Sequence, residues 1–553
     1  MLFLGALSLC LQAVVGTTTS APRTATTTSS AKGDPVITVP LAAPSGDRFY
    51  NAYVSDVAVR LDLLQPDLWI PDPNYQSYCD RSNSSNATAT LSCNSDVTSR
   101  YGVLYEDFTT TYTDSEGTAT VTVDMLERSE NYVSIPYPNG IVADGEVAMA
   151  DLYFVDSQEE VFPLDSFNFI YVNDTNMMAG GLGLANNPRG TGILNYLYNA
   201  EMIESRGYSA FLSEDDVDDD AYGELLLGGV DRSMFTGDLV SFPVLPYEGL
   251  DSGSTLPTVL LTDLKVVNAN TSQSVSLLSG NSEPVLLDPR MSFNFLPLDV
   301  IIRLALQTNA FYNKERGEWI VKCSDVEDSD AEFHYNFGPL TIKAPLSSFL
   351  YGSSNDTGLR FSSGSKACLL NVNPSSYLGY SCLGLPFLTN AYFVMDNDGG
   401  NIALANKNTD HKVGAHLYTD IKTTTSDYSS GSSTSSSLPS LNPSASFIKS
   451  GSIPWATKVN STQTVTMTFG SANSTAAEAI MTRYSQASII SGEVIVTREP
   501  SSTVGPTTHI SSDSLSSSAA AGPGIVHWEH GNNEKTLIYS TILMFGFLGG
   551  LII

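Results

Sequence analysis

Between Val36 and Lys407 the apolar residues come in short runs separated by Gly, Pro, Asn and Asp. The runs VITVPL, AVRLDL, TATVTVDML, FNFIYV, GELLLGGV and VVNANTSQSVSLL have strand length and are rich in β-branched and aromatic residues, which suit a half-buried pleated surface. In YFVMDNDGGNIALA the turn residues Asn397-Asp398-Gly399-Gly400 sit between two such runs, a hairpin signal because these residue types tolerate positive φ. Helical spacing of apolar residues is confined to Gly192–Ser205 and Leu298–Thr308. The pattern predicts a mostly-β body with a few short helices.

The flanks have a different character. MLFLGALSLCLQAVVG is an apolar run ending in small residues, and reads as a signal peptide over residues 1–16. The polar segment 17–35 gives that run nothing to pack against and is predicted to be disordered. After about Thr423 Ser and Thr dominate, and such a composition buries too little apolar surface to offset its ordering entropy. Residues 413–530 therefore read as an O-glycosylated stalk, with a more apolar patch around VTMTFG and SIISGEVIVT left unplaced. Residues 531–553 end in an apolar tail preceded by small residues and read as a GPI-attachment signal, with a single-span anchor as the alternative. A secretory chain displayed on a plasma membrane or cell wall is expected, with wall glucan as a further partner.

The net charge of −32 sets phosphate-bearing partners aside and excludes nucleic acid binding as the main role. The acidic run Glu214–Asp220 reads as a solvated hairpin tip. In an oxidising compartment Cys79 is expected to pair with Cys93 and Cys323 with Cys368, leaving Cys382 as a buried thiol. No Cys or His spacing resembles a zinc site, and no metal or cofactor is implied. Sequons at Asn83, Asn86, Asn173, Asn270, Asn355, Asn460 and Asn473 fit a glycosylated chain.

Within the body one phrase occurs twice. Leu61-Asp62-Leu63-Leu64-Gln65-Pro66-Asp67-Leu68-Trp69-Ile70-Pro71 is matched by Leu287-Asp288-Pro289-Arg290-Met291-Ser292-Phe293-Asn294-Phe295-Leu296-Pro297. Leu-Asp opens each, and an aromatic, an aliphatic and a proline close each at the same offsets. Gly181-Leu182-Gly183 follows the first copy and Cys382-Leu383-Gly384 the second, with Leu227-Gly228-Gly229-Val230-Asp231 between them and Leu383–Leu388 leading into Ala391–Asp396. On these landmarks the chain over Val36–Lys407 resembles the pepsin-like aspartic proteases, and within them the GPI-anchored fungal yapsin type. The resemblance implies a bilobal pepsin-like fold with pseudo-twofold related lobes, over 36–240 and 241–412, and a catalytic dyad of Asp62 and Asp288. It also implies a flap tyrosine, for which Tyr112 fits best and Tyr105 is the alternative.

The chemistry of that family holds one water between two carboxylates that share a proton, one acting as acid while the other activates the water. The family's motif supplies a Thr or Ser, a Gly and another Thr or Ser after each Asp. Here Leu63 and Leu64 follow Asp62, and Pro289 and Arg290 follow Asp288. Both hydroxyls are gone, both glycines are replaced by bulky residues, and Pro289 has no N–H to donate. If Arg290 points inward, it pairs with an aspartate and occupies the place of the water. We expect a surface-anchored pseudoprotease that keeps the cleft between its lobes for a peptide or protein ligand. An active acid endopeptidase and an adhesin or structural wall protein are the alternatives.

Overall fold

The computed structural model describes residues 36–43, 49–72, 78–79, 87–114, 117–137, 141–155, 161–186, 192–213, 221–249, 254–351, 358–411, 413, 444–459, 465–483 and 486–498; over 107–124 it describes the backbone alone. Strand Val57–Asp62 ends on the first repeated aspartate. A tight turn at Ser55 and Asp56, both at positive φ, folds it back antiparallel on Asn51–Val54. On its other side Gly180–Gly183 runs parallel, with Gly183 opposite Asp62. Gly180–Gly183 in turn pairs antiparallel with Leu68–Pro71, which pairs parallel with Val161–Thr175.

The second half repeats this arrangement strand for strand. Glu283–Leu287, which leads into Asp288, pairs antiparallel with Thr258–Leu261 and parallel with Cys382–Leu383. Cys382 then lies antiparallel to Phe295 of Asn294–Leu296, and that strand runs parallel with Val372–Pro374. The doubled Leu-Asp phrase is thus the sequence trace of a doubled topology. Between the halves runs the part of a 14-stranded sheet ordered Phe235–Pro243, Asn401–Lys407, Ala391–Asp396, Gly207–Leu212, Ala221–Leu227 and Ile37–Ala43, which continues into the strands of the first half. Strands from both ends of the chain meet there, with Phe211 opposite Tyr392. The fold is mostly β and bilobal, as the residue pattern and the resemblance predict.

The turn at Asn397–Gly400 joins Ala391–Asp396 to Asn401–Lys407 as a hairpin. The helix Leu298–Thr308 buries Val300, Ile301, Leu304, Ala305 and Thr308 along one face and ends on Asn309 at φ 52°. The helix expected over Gly192–Ser205 spans only Ile193–Asn199, and the chain leaves it at Glu201 with φ 56°. An unforeseen helix covers Ala87–Tyr101. Its apolar residues are too few to stand out by periodicity, and the Cys79–Cys93 disulfide ties it to the body. The second expected disulfide, Cys323–Cys368, is also formed, and Cys382 is a buried free thiol.

One boundary needs correction. The stalk expected over 413–530 is interrupted by Ala445–Phe447, Ala456–Lys458, Met467–Thr468, the helix Thr475–Met481, Gln486–Ile490 and Glu493–Arg498. These elements add to the sheets of the body. Sparse apolar residues such as Ile448, Met467 and Met481 are buried there, and a composition average hides them. The signal peptide, the acidic run at 214–220, residues 414–443 and the tail lie outside the described residues.

Gly384 ends the strand beside Asp288. A Cβ there would stand 2.2 Å from the Met291 carbonyl oxygen and 2.4 Å from that of Phe293. Gly384→Ala is expected to destabilise the protein by about 3 kcal/mol, the upper end of overpacking, read as a lowered midpoint in urea. An unchanged midpoint would show that the loop around Asp288 yields freely.

Candidate active site

Each aspartate sits where a strand gives way to a loop, and the neighbouring parallel strand fixes its backbone. Leu184 N–H donates to the Asp62 carbonyl at 2.8 Å, and Asp288 N–H donates to that of Leu383 at 3.1 Å. Two residues further on, the backbone turns back to the side chain. Leu64 N–H donates to Asp62 Oδ1 at 3.0 Å, and Arg290 N–H donates to Asp288 Oδ1 at 3.0 Å. Neither Leu64 nor Arg290 is at positive φ. The residues in the glycine positions therefore keep the N–H donors without left-handed backbone, contrary to what their bulk alone implies. Leu63, Leu64 and Met291 bury their side chains in the main core, which fills the space that hydroxyl-bearing residues would leave polar.

The decisive group is the Arg290 guanidinium. Nε donates to Asp288 Oδ1 at 2.9 Å and one terminal nitrogen to Asp288 Oδ2 at 2.8 Å, a bidentate pair. The other terminal nitrogen lies 3.4 Å from Asp62 Oδ2. Asp62, Asp288 and Arg290 are 1%, 0% and 5% exposed, so the cation bridges both carboxylates in a buried site. It occupies the ground where a pair of bare aspartates would hold a shared water.

Tyr137 closes the arrangement. Its hydroxyl donates to Asp62 Oδ2 and accepts from the Trp69 indole N–H at 2.8 Å, while Arg290 lies over its ring at 4.7 Å. All four carboxylate oxygens thus accept hydrogen bonds from the chain itself. Gln65, three residues after Asp62, turns away and bonds its side chain to the backbone of Asp67.

Burial pushes the Asp62 carboxyl above its usual range, and the opposing pull of Arg290 and Tyr137 does not fully offset it. Burial acts to lower Arg290, but the Asp288 and Asp62 carboxylates outweigh it and hold the guanidinium well above its ordinary value. Burial, then the Asp62 charge, raises the Tyr137 hydroxyl well above its ordinary value. The cluster is two acids bonded to one permanent cation.

Tyr137 follows strand Leu126–Ser134 and is the tyrosine whose hydroxyl reaches Asp62. Tyr112 belongs instead to the separate hairpin Asp107–Asp124, and its side chain is not described. Tyr105 is 62% exposed. The sequence signal for Tyr137 is Pro136-Tyr137-Pro138-Asn139-Gly140, an aromatic among turn-forming residue types. Among the sequons, Asn173 is half-buried and Asn270 and Asn473 are exposed, while Asn83, Asn86, Asn355 and Asn460 lie outside the described residues. Among the described residues, the one cluster with metal-like spacing is Cys323, Glu327 and Cys368, whose two cysteines are joined in a disulfide and offer no thiolate.

The family described as eukaryotic aspartyl protease matches residues 55–407. The aspartic proteinase yapsin-7 of Saccharomyces cerevisiae is 30% identical over 376 residues, covering 66% of this chain and 58% of the relative. Yapsin-3 of the same yeast is 25% identical over 373 residues, 63% of each chain. Barrierpepsin, also from that yeast, is 29% identical over 213 residues, 38% of this chain and 34% of its own. The chain thus spans less than two thirds of the length of these relatives.

Arg290→Met leaves two buried carboxylates with no cation between them. One of them must then take up a proton, and its folded pKa rises above the unfolded value of about 3.9. The stability tied to that proton is present below the unfolded pKa and is lost as pH rises through the folded one. The variant is therefore expected to be nearly as stable as the parent at acid pH and to fall behind by about 3 kcal/mol at pH 7, in urea unfolding followed across pH. A deficit that is independent of pH would contradict the bridging role.

Proposed function

Because the chain belongs to the eukaryotic aspartyl protease family, we propose that it is a fungal cell-surface member that no longer hydrolyses peptide bonds and uses its bilobal body for binding. The observation that carries this reading is the saturation of the dyad. Asp62 accepts from Leu64, Tyr137 and Arg290, and Asp288 accepts from Arg290 three times. General base catalysis needs a carboxylate oxygen within reach of the water it activates, and general acid catalysis needs a proton held between the pair. A guanidinium that stays charged at any relevant pH offers neither. The hydroxyls that would orient the carboxyls are also missing, since Leu63 and Pro289 follow the aspartates directly.

The yapsin and barrierpepsin relatives support a secreted or cell-surface setting for this chain. Within that setting, a peptide or protein segment is the ligand that a cleft inherited from this family would accept. A GPI anchor is the mode of display that the apolar residues 537–553, preceded by small ones, would support, with retention on the plasma membrane or on wall glucan. A second reading has one specific support. Both aspartates and both of their backbone N–H donors are intact, so a movement of the Arg290 side chain together with Tyr137 would free the carboxylates for peptide hydrolysis.

Cleavage of a peptide library by the secreted protein from pH 3 to 7, with and without pepstatin, separates the readings. The proposal expects no pepstatin-sensitive turnover. It further expects turnover to appear, from below detection toward the ordinary enzyme range of about 1 per second or more, when Leu63→Thr, Leu64→Gly and Gln65→Ser are combined with Pro289→Thr, Arg290→Gly and Met291→Ser. Turnover by the unaltered protein, abolished by Asp62→Ala, would replace this reading with that of an active endopeptidase.

A further inference from the structure

Residues 444–498 follow a Ser/Thr-rich stretch, yet the body is shaped to receive them. The evidence is on the receiving side. A Cβ on Gly207 would stand 2.9 Å from the Ile448 side chain, and one on Gly399 2.3 Å from Gly451 N. On Gly249 it would stand 2.3 Å from the Phe469 carbonyl oxygen, and on Gly379 2.2 Å from that of Gly470. An added side chain at any of these four glycines would collide with the segment, while the positive φ of Gly249 and Gly379 and the Asp396 carboxylate beside Gly399 favour glycine there as well.

Buried polar groups of the body point the same way. Ser205 Oγ donates to the Ile448 carbonyl at 2.7 Å, Asp396 Oδ2 accepts from Gly451 N–H at 2.7 Å, and Asn313 Nδ2 donates to the Ala487 carbonyl at 3.1 Å. Ser205, Asp396 and Asn313 are buried with the segment in place, so each of these bonds lies in the interior of the folded chain. The apolar contacts complete the seat. Ile448 joins Val230, Phe235 and Tyr392 in one cluster, and Met481 is fully buried in the main core.

The path touches both halves. Ala445–Phe447 pairs with Gly229–Asp231, and Ala456–Lys458 runs beside Phe235–Pro243 at the edge of the sheet between the lobes. Met467–Thr468 then pairs with Tyr247–Glu248. Beyond Phe469, Gly470 and Asn473 donate to the carbonyls of Gly379 and Ser376 in the second half. The hairpin Gln486–Arg498 finishes against Phe311–Asn313 and Arg360–Phe361.

One contact leads toward the aspartates. Phe469 packs on Tyr380 with ring centroids 4.7 Å apart. Tyr380 lies two residues ahead of the strand Cys382–Leu383, which pairs with Leu286 and Leu287 just before Asp288. Tyr380 is itself buried, 4% exposed.

We propose that residues 444–498 are an intrachain clasp that holds the two lobes in a fixed relation and, through Phe469 and Tyr380, backs the strand beside Asp288. The folded unit then extends to about residue 498, and any tether to a surface begins after it. A body ending near residue 412 is incomplete, with an open groove along one flank.

Hydrogen exchange on the intact protein tests this without relying on activity, so it stands or falls separately from the loss of hydrolysis. Amides of Ile448, Gly451, Met467, Phe469 and Gly470 are expected to exchange at least ~100-fold more slowly than in free peptides. Phe469→Ala is expected to speed exchange over Tyr380–Gly384 by about 10-fold or more while leaving Val57–Asp62 unchanged. Trp455→Ser, at a 47% exposed position of the same segment, should alter neither region. Free-peptide rates over 444–498 in the unaltered protein would overturn the clasp. Exchange at Tyr380–Gly384 that ignores Phe469→Ala would overturn the link to Asp288. If Phe469→Ala does not fold, the rates of the unaltered protein decide the clasp and Phe469→Leu takes its place for the link.

Discussion

Two carboxylates held together out of water need either a proton or a cation between them. Two unit charges about 4 Å apart repel by roughly 4 kcal/mol at an effective dielectric of about 20, so the doubly ionised pair does not persist unaided. Aspartic proteases meet this constraint with a shared proton, which is also their reagent. This chain meets it with Arg290, bonded to both oxygens of Asp288 and within 3.4 Å of Asp62. Much else at the site is consistent with that choice. Leu63, Leu64 and Met291 are free to become core residues because no hydroxyl is needed to steer a carboxyl. Tyr137 settles on Asp62 and under the guanidinium.

A buried ion pair is weak evidence of stability, because its desolvation penalty rivals its attraction. Its strength here lies in what its removal would leave behind. Taking away Arg290 strands two acids, and taking away one acid strands part of a cation. In the structure that interdependence ties the two aspartates to Arg290 and gives both of them a part in the charge balance of the site.

The doubling of the fold was legible because it is written in short local patterns. Leu61-Asp62 and Leu287-Asp288, with Gly181–Gly183 and Cys382–Gly384, mark four strands that pair in the same way in each half. The loss of hydroxyls and the arrival of Arg290 were equally plain. What escaped was set by contacts between distant residues. The N–H donors at Leu64 and Arg290 survive because the turn depends on the flanking strands more than on glycine. Tyr137 reaches Asp62 across 75 positions, and its partner Trp69 is as remote. The segment 444–498 was read as stalk because Ser and Thr dominate the region, while a few buried residues and four glycines elsewhere in the chain determine its path. The lobes, the site and the clasp then form one mechanical unit, in which the backing of Asp288 comes from a part of the chain that composition assigns to a tether.

The central claim is that the guanidinium, and not a proton and a water, stands between Asp62 and Asp288. A crystal structure at about pH 4, from crystals soaked in pepstatin, tests it most directly. The account predicts Arg290 bonded to both aspartates, with no inhibitor hydroxyl between them. A structure with Arg290 turned out of the site and the inhibitor hydroxyl seated between the two carboxyls would contradict it.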